Sequence, residues 1–174
     1  MNIKNAVKKI YNSKILCKKI NRKFNPPIKE LKKKILLIGH NCDKQGAQVL
    51  LEYIAKECVK QGWTTKLPVR NPGDMMERYA QICYTECFLG KKDFERIIKK
   101  HYKKGYYFAI CNTTVNGDLI PLLKKQGYKV ETLVHELPKA IMQSHIEDRA
   151  KVIAKQSDRV VFPSTYVRKI FITA

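Results

Sequence analysis

Ile35-Leu36-Leu37-Ile38 is a wholly apolar run lying between Lys32-Lys33-Lys34 and a polar stretch that begins at Gly39. So short and uniform a run suits a strand buried on both faces, as in a parallel sheet. Related runs recur along the chain: Thr64 to Val69, Tyr106 to Cys111, Val130 to Val134 and Arg159 to Phe162. Between them stand segments with helical spacing. The first runs from about Ala47 to Gln61, with Val49, Leu50, Tyr53, Ile54 and Val59 apolar and Gly62 as its stop.

The other helices are expected at Met75 to Leu89, Lys91 to Lys104, Asp118 to Gln126, and from Pro138 to about Gln156. A last one opens at Pro163-Ser164. The resulting order is β-α-β-α-α-β-α-β-α-β-α. It implies an α/β fold, a Rossmann-like doubly wound parallel sheet with right-handed crossovers.

Ligands of such sheets bind beyond the carboxyl ends of the strands. The loops there carry His40, Asn41, Gln45 and Gly46; then Asn112, Thr113 and Thr114; then His135 and Glu136; then Pro163, Ser164 and Thr165. Gly46 opens a helix, whose free N–H groups favour an anion. The Gly39-x6-Gly46 spacing is neither the dinucleotide fingerprint nor a Walker loop. Asp43, Asn112 and Ser164 read equally well as caps and turn formers. His135 is either a hydrogen-bonding and proton-transfer group at the sheet edge or a histidine satisfied in the core. His101 and His145 fall on expected helices and read as surface or packing residues. No nucleophile elbow is present.

The formal charge is +20, and residues 1–34 hold +11 of it, with 12 Lys/Arg against Glu30 alone. Ile3, Val7, Ile10, Tyr11, Ile15, Leu16, Ile20 and Phe24 form an apolar stripe among the lysines, ended by Pro26-Pro27. Residues 1–33 are therefore a basic amphipathic helical arm, and 34–174 the sheet domain. Such an arm is a solvated face, an anchor on an anionic membrane surface or a nucleic-acid contact. Scarce arginine and the lack of a nucleic-acid-binding motif disfavour nucleic acid. No apolar stretch suits a membrane span or a secretory signal, which excludes an integral membrane protein and a secreted scaffold. The six cysteines read as reduced thiols of a cytoplasmic protein. Cys83 and Cys87, spaced CxxxC on an expected helix, have only His101 nearby, so no metal site is expected.

Several of these segments together resemble the opening of family 4 glycosyltransferases of the GT-B fold. They are Ile35-Leu36-Leu37-Ile38-Gly39-His40 with Gln45-Gly46-Ala47, and Asn112-Thr113-Thr114-Val115-Asn116-Gly117-Asp118-Leu119-Ile120-Pro121-Leu122-Leu123. Leu133-Val134-His135-Glu136-Leu137-Pro138 and Arg159-Val160-Val161-Phe162-Pro163-Ser164 complete the set. The resemblance spans roughly Lys34 to Phe171 and implies an acceptor-side domain. The implied activity is retaining, metal-independent transfer from a nucleotide-sugar to a glycan or lipid-linked acceptor. Polysaccharide or lipopolysaccharide synthesis is the implied setting, with no cofactor beyond the donor substrate. His135 would lie near the transferred sugar as the catalytic residue. His40, Asn41, Gly46, Ala47, Asn112, Thr113, Glu136 and Ser164 would bind substrate.

The family's Glu-x7-Glu pair is missing, so the chain reads as a fragment lacking the donor domain, inactive unless a separate chain supplies it. Its expected place is the cytoplasm or, through residues 1–33, the inner face of the membrane. The alternative expectation is a non-catalytic Rossmann-like module that binds an anionic membrane or nucleic acid.

Overall fold

The computed structural model describes residues 3–24 and 32–173. Its elements are α1 (Ile3–Phe24), β1 (Lys33–Ile38), α2 (Gly46–Lys60), β2 (Trp63–Val69), α3 (Met76–Ile82), β3 (Tyr84–Cys87), α4 (Lys91–Tyr102) and β4 (Phe108–Asn112). A 3-10 turn (Thr114–Leu119) leads into α5 (Ile120–Gln126), β5 (Lys129–Leu133), α6 (Pro138–Gln143), α7 (Glu147–Gln156), β6 (Arg159–Val161) and α8 (Thr165–Thr173). Among the described residues the six strands form one sheet, all parallel, in the order β3-β2-β1-β4-β5-β6. The fold is α/β and Rossmann-like, with helices on both faces, as the alternation of runs predicts.

Side chains alternate across a strand, and β1 divides the core accordingly. Leu36 and Ile38 join the layer that holds Phe94, Ile97 and Ile98 of α4, Leu123 of α5 and Ile153 of α7. Ile35 and Leu37 join the opposite layer, with Cys17 and Ile20 of α1, Leu51 and Ala55 of α2, and Met76 and Tyr79 of α3. A strand apolar on every residue can satisfy both layers, which is why β1 is legible from composition.

Residues 75–89 depart from the expected single helix. The helix stops at Ile82, and Tyr84–Cys87 pairs with β2 through Lys66↔Tyr84 to Val69↔Cys87. Cys83 and Cys87 consequently share no helix. Cys83 follows α3, and Cys87 ends β3. The expected helix from Pro138 to Gln156 is also two helices, broken at His145, whose φ is 51°. The break lets α7 turn onto the 3-10 turn, so closely that a Cβ on Gly117 would lie 2.6 Å from the Arg149 carbonyl oxygen.

The N-terminal helix lies along the outer edge of β3. Ser13, Cys17 and Ile20 are buried, one or two helical turns apart, and Phe24 is half-buried against the same layer. The Asn21 side chain donates to the Thr85 carbonyl and accepts from the Thr85 N–H at 3.1 Å. Lys14 reaches Asp93 at 3.1 Å. Tyr11 and Leu16 of the expected stripe remain exposed. The side chains of Ile3, Val7 and Ile10 and the Pro26-Pro27 stop lie outside the described residues. No helix among those described is long and apolar enough to cross a membrane.

Candidate functional site

β1 continues through its crossover to β2 on one side, and β4 continues to β5 on the other. The crevice between the two outgoing loops is the switch point of the sheet. Asn116, on the 3-10 turn, ties its floor together by donating to the carbonyls of Ile38 at 3.2 Å and Asn112 at 2.9 Å. Those are the last residues of β1 and β4.

Asn112 is buried and spans the crevice. Its Nδ2 donates to the Ala47 carbonyl in the first turn of α2 at 2.9 Å, and its Oδ1 lies 2.9 Å from His135 Nε2. A carbonyl can only accept, so Ala47 fixes which end of the Asn112 amide faces His135. The imidazole therefore donates from Nε2, and Nδ1 carries the ring's lone pair. Burial holds His135 below the ordinary histidine range, against the pull of Glu136, so the ring is neutral at pH 7. A neutral imidazole in this tautomer offers Nδ1 as a hydrogen-bond or proton acceptor.

Glu136 braces two loops. Its carboxylate accepts from the Thr114 N–H at 3.1 Å, the Thr114 hydroxyl at 2.8 Å and the His135 N–H at 3.1 Å. Between Asn112 and Thr114 the chain passes through Thr113 at φ 73°, a conformation costly for a β-branched residue. The Glu136 clamp and the bond from Thr113 N–H to the Leu133 carbonyl, 3.0 Å, hold it there.

Cationic groups flank the opening. Arg70, directly after β2, bonds Asp118 at 2.5 Å, and Lys91 lies 3.9 Å from the same carboxylate. Arg149 of α7 donates to the Val115 carbonyl at 2.7 Å. His40 is half-buried between these groups. Burial, then Arg70 and Arg149, keep it below the ordinary range, with Glu136 and Asp43 opposing. Gln45 gives α2 no side-chain cap, so the first N–H groups of that helix have no partner within it. Gly46 is exposed there, and a Cβ on it would meet nothing within 4 Å.

Four buried polar atoms in this region have no hydrogen-bond partner: Gln48 Oε1, Arg70 Nε, Thr113 Oγ1 and Asn116 Oδ1. Gln48, Thr113 and Asn116 are only 4%, 5% and 0% exposed. Leaving such an atom unpaired costs about 1–3 kcal/mol. Such atoms call for an explanation, and several gather at one edge of this sheet.

The sheet brings His40, Asn41, Gly46, Ala47, Asn112, Thr113, His135 and Glu136 to this edge. Asn41 donates to Asp43 in its own loop and accepts from the Gln48 side chain in the first turn of α2. Ser164 lies on the far side of β5, after β6, and accepts the Val167 N–H at 3.2 Å as the cap of α8. His101 is fully buried against Glu86. Sequence reasoning missed Arg70, whose signal was its place directly after a strand, and Arg149, Gln48 and Asn116, which lie on helical segments with no such signal. Among the described residues no cluster of three His, Cys, Asp or Glu could hold a metal ion.

No protein-family model and no curated protein matches the chain. A solved structure that resembles it is the C-terminal domain of the coenzyme A biosynthesis bifunctional protein CoaBC. The identity is 12% and the TM-score 0.47, over 75% of this chain and 76% of that one. The glycosyltransferase expectation is corrected accordingly: no family model or curated protein supports it, and the solved structure just named is a domain of a coenzyme A biosynthesis protein. No family match places the chain among transferases of polysaccharide or lipopolysaccharide synthesis. Nor do the comparisons support the alternative of a module for membranes or nucleic acid. The physical reason is plain in the sheet. Gly-His, Asn-Thr-Thr, His-Glu-Leu-Pro and Phe-Pro-Ser each follow a strand, where any doubly wound sheet needs polar turn and cap residues. They report the fold and not the family.

Proposed function

We propose that the protein binds a small phosphorylated molecule in the crevice between the β1–α2 loop and the loops after β4 and β5. The observation that carries this reading is the group of orphaned buried atoms on Gln48, Arg70, Thr113 and Asn116 beside the uncapped start of α2. The first N–H groups of α2 and its dipole suit a phosphate, and Arg70 and Arg149 add positive charge. The acids nearby are engaged: Asp118 by Arg70 and Lys91, Glu136 by three donors, and the exposed Asp43 by the Asn41 amide at 2.5 Å. Gln48 Oε1, Asn116 Oδ1 and the Thr113 hydroxyl suit hydroxyl or amino groups on the rest of the ligand. His135 Nδ1 faces the same chemistry as an acceptor.

Calorimetric titration with inorganic pyrophosphate and with a mononucleotide tests the reading. Gly46→Glu sets a carboxylate on the first residue of α2 in open space, so it should weaken binding at least about tenfold, which is about 1.4 kcal/mol. The melting temperature should hold, because an acid in the first turn suits the helix dipole. Equal binding by Gly46→Glu and the parent, or no binding of either ligand, would overturn the proposal.

A further inference from the structure

Two thiols far apart in sequence meet where α1 crosses β3. Asn21 fixes the register by holding both backbone groups of Thr85. One helical turn back from Asn21 is about 6 Å and reaches Cys17. Two residues onward from Thr85 is about 6.6 Å on the same face and reaches Cys87. Both lie in one core layer, 4% and 3% exposed, and each thiol is the largest influence on the other's ionisation, Cys87 drawing Cys17 down and Cys17 pushing Cys87 up. Lys14, almost one turn further back along α1, meets Asp93 in the first turn of α4, the helix that follows β3, as an antiparallel run of α1 along β3 requires. Cys87 Sγ also lies 3.9 Å from Met76 Sδ. All six cysteines are free thiols, and Cys42 is fully buried in the loop between β1 and α2.

We infer that Cys17 and Cys87 form a redox-modifiable pair, whose oxidation to a disulfide by a small-molecule disulfide clasps α1 to the sheet edge. The reaction is two successive exchanges. The Cys17 thiolate attacks one sulfur of the reagent, making a mixed disulfide and expelling one thiolate. The Cys87 thiolate then attacks Cys17 Sγ, closing the protein disulfide and expelling the second. Two electrons pass from the protein thiols to the reagent, and the two protons go to the released thiols. Cys87 holds Cys17 below the ordinary thiol range, which makes Cys17 the attacking group. Both sulfurs are buried, so the first exchange occurs when α1 lifts from β3, and the second when it docks again.

The experiment uses the full chain. Folded protein is incubated with glutathione disulfide, the remaining thiols are alkylated, and the digest is mapped without reduction. The expected result is one cross-linked peptide pair joining Cys17 to Cys87 and loss of two of the six free thiols. The melting temperature should rise on oxidation and return on reduction. Cys42→Ser should keep the cross-link, and Cys17→Ser and Cys87→Ser should each abolish it together with the thermal shift. A folded protein that forms no cross-link, that joins another pair, or that cross-links only in denaturant would overturn the inference. Because mapping of the parent protein decides the matter, a variant that fails to fold does not obscure it.

Discussion

Asn112→Leu removes the bridge across the crevice while keeping a similar volume. Two hydrogen bonds are lost, to the Ala47 carbonyl and from His135 Nε2, each worth about 0.5–1.5 kcal/mol net. The larger penalty for orphaned partners does not apply. The Ala47 carbonyl stays within the hydrogen-bond ladder of α2, and the half-buried His135 ring can turn its N–H to water. The expected cost is therefore about 1–3 kcal/mol, not the larger loss of a truncated core residue. For a chain of this size that is a melting-temperature drop of roughly 2–12 °C. The sharper readout is imidazole nitrogen NMR at neutral pH. The parent protein should show His135 as a neutral ring protonated on Nε2, and Asn112→Leu should show a mixture of tautomers. A parent ring protonated on Nδ1, or a variant with an unchanged spectrum, would refute the reasoning that Ala47 orients the amide and the amide orients the ring.

Gly117→Ala should cost about 1–3 kcal/mol by overpacking, because its Cβ would sit 2.6 Å from the Arg149 carbonyl oxygen; an unchanged thermal melt would contradict this. Asn21→Ala strips both backbone groups of Thr85 of their partner and should speed hydrogen exchange at the Thr85 amide, and equal exchange rates would show that α1 is held by other contacts. Burial holds His40, His101 and His135 below the ordinary histidine range, so the unfolded chain takes up protons first as pH falls. Their contribution is present above the unfolded value, about 6.5, and is lost as pH drops through the folded values. Burial raises Glu86 and Asp93, but hydrogen bonds from His101 to the one and from Arg96 and Lys14 to the other outweigh it, leaving both lowered. Their contribution is lost at still lower pH, so the denaturant midpoint should fall steadily from about pH 6.5 downward, and a flat profile would count against this assignment.

Five of the six strands were legible because each is a short run that packs its side chains on both layers or ends in a turn, and both properties are local. β3 was not. Tyr84-Thr85-Glu86-Cys87 is four residues long and continues a plausible helical pattern from Met75. Only pairing to β2 and cover from α1 make it a strand. The same contact explains why the basic helix read as an arm. A stripe of apolar residues records that a helix has a buried face, but not what covers it. Here Cys17 and Ile20 turn to β3, while Tyr11 and Leu16 face outward.

The sequence by itself determined the class of fold, five of the six strands in their chain order, and the loops that reach the carboxyl edge of the sheet. Each follows from the period of apolar residues and from turn chemistry within a few positions. Tertiary structure alone decided that Arg149 on α7 bonds the Val115 carbonyl beside the crevice, that Ala47 sets the tautomer of His135, and that Cys17 and Cys87 share one core layer. Those facts depend on packing between elements tens of residues apart, and a one-dimensional pattern carries the spacing along an element but not the identity of the neighbour across it.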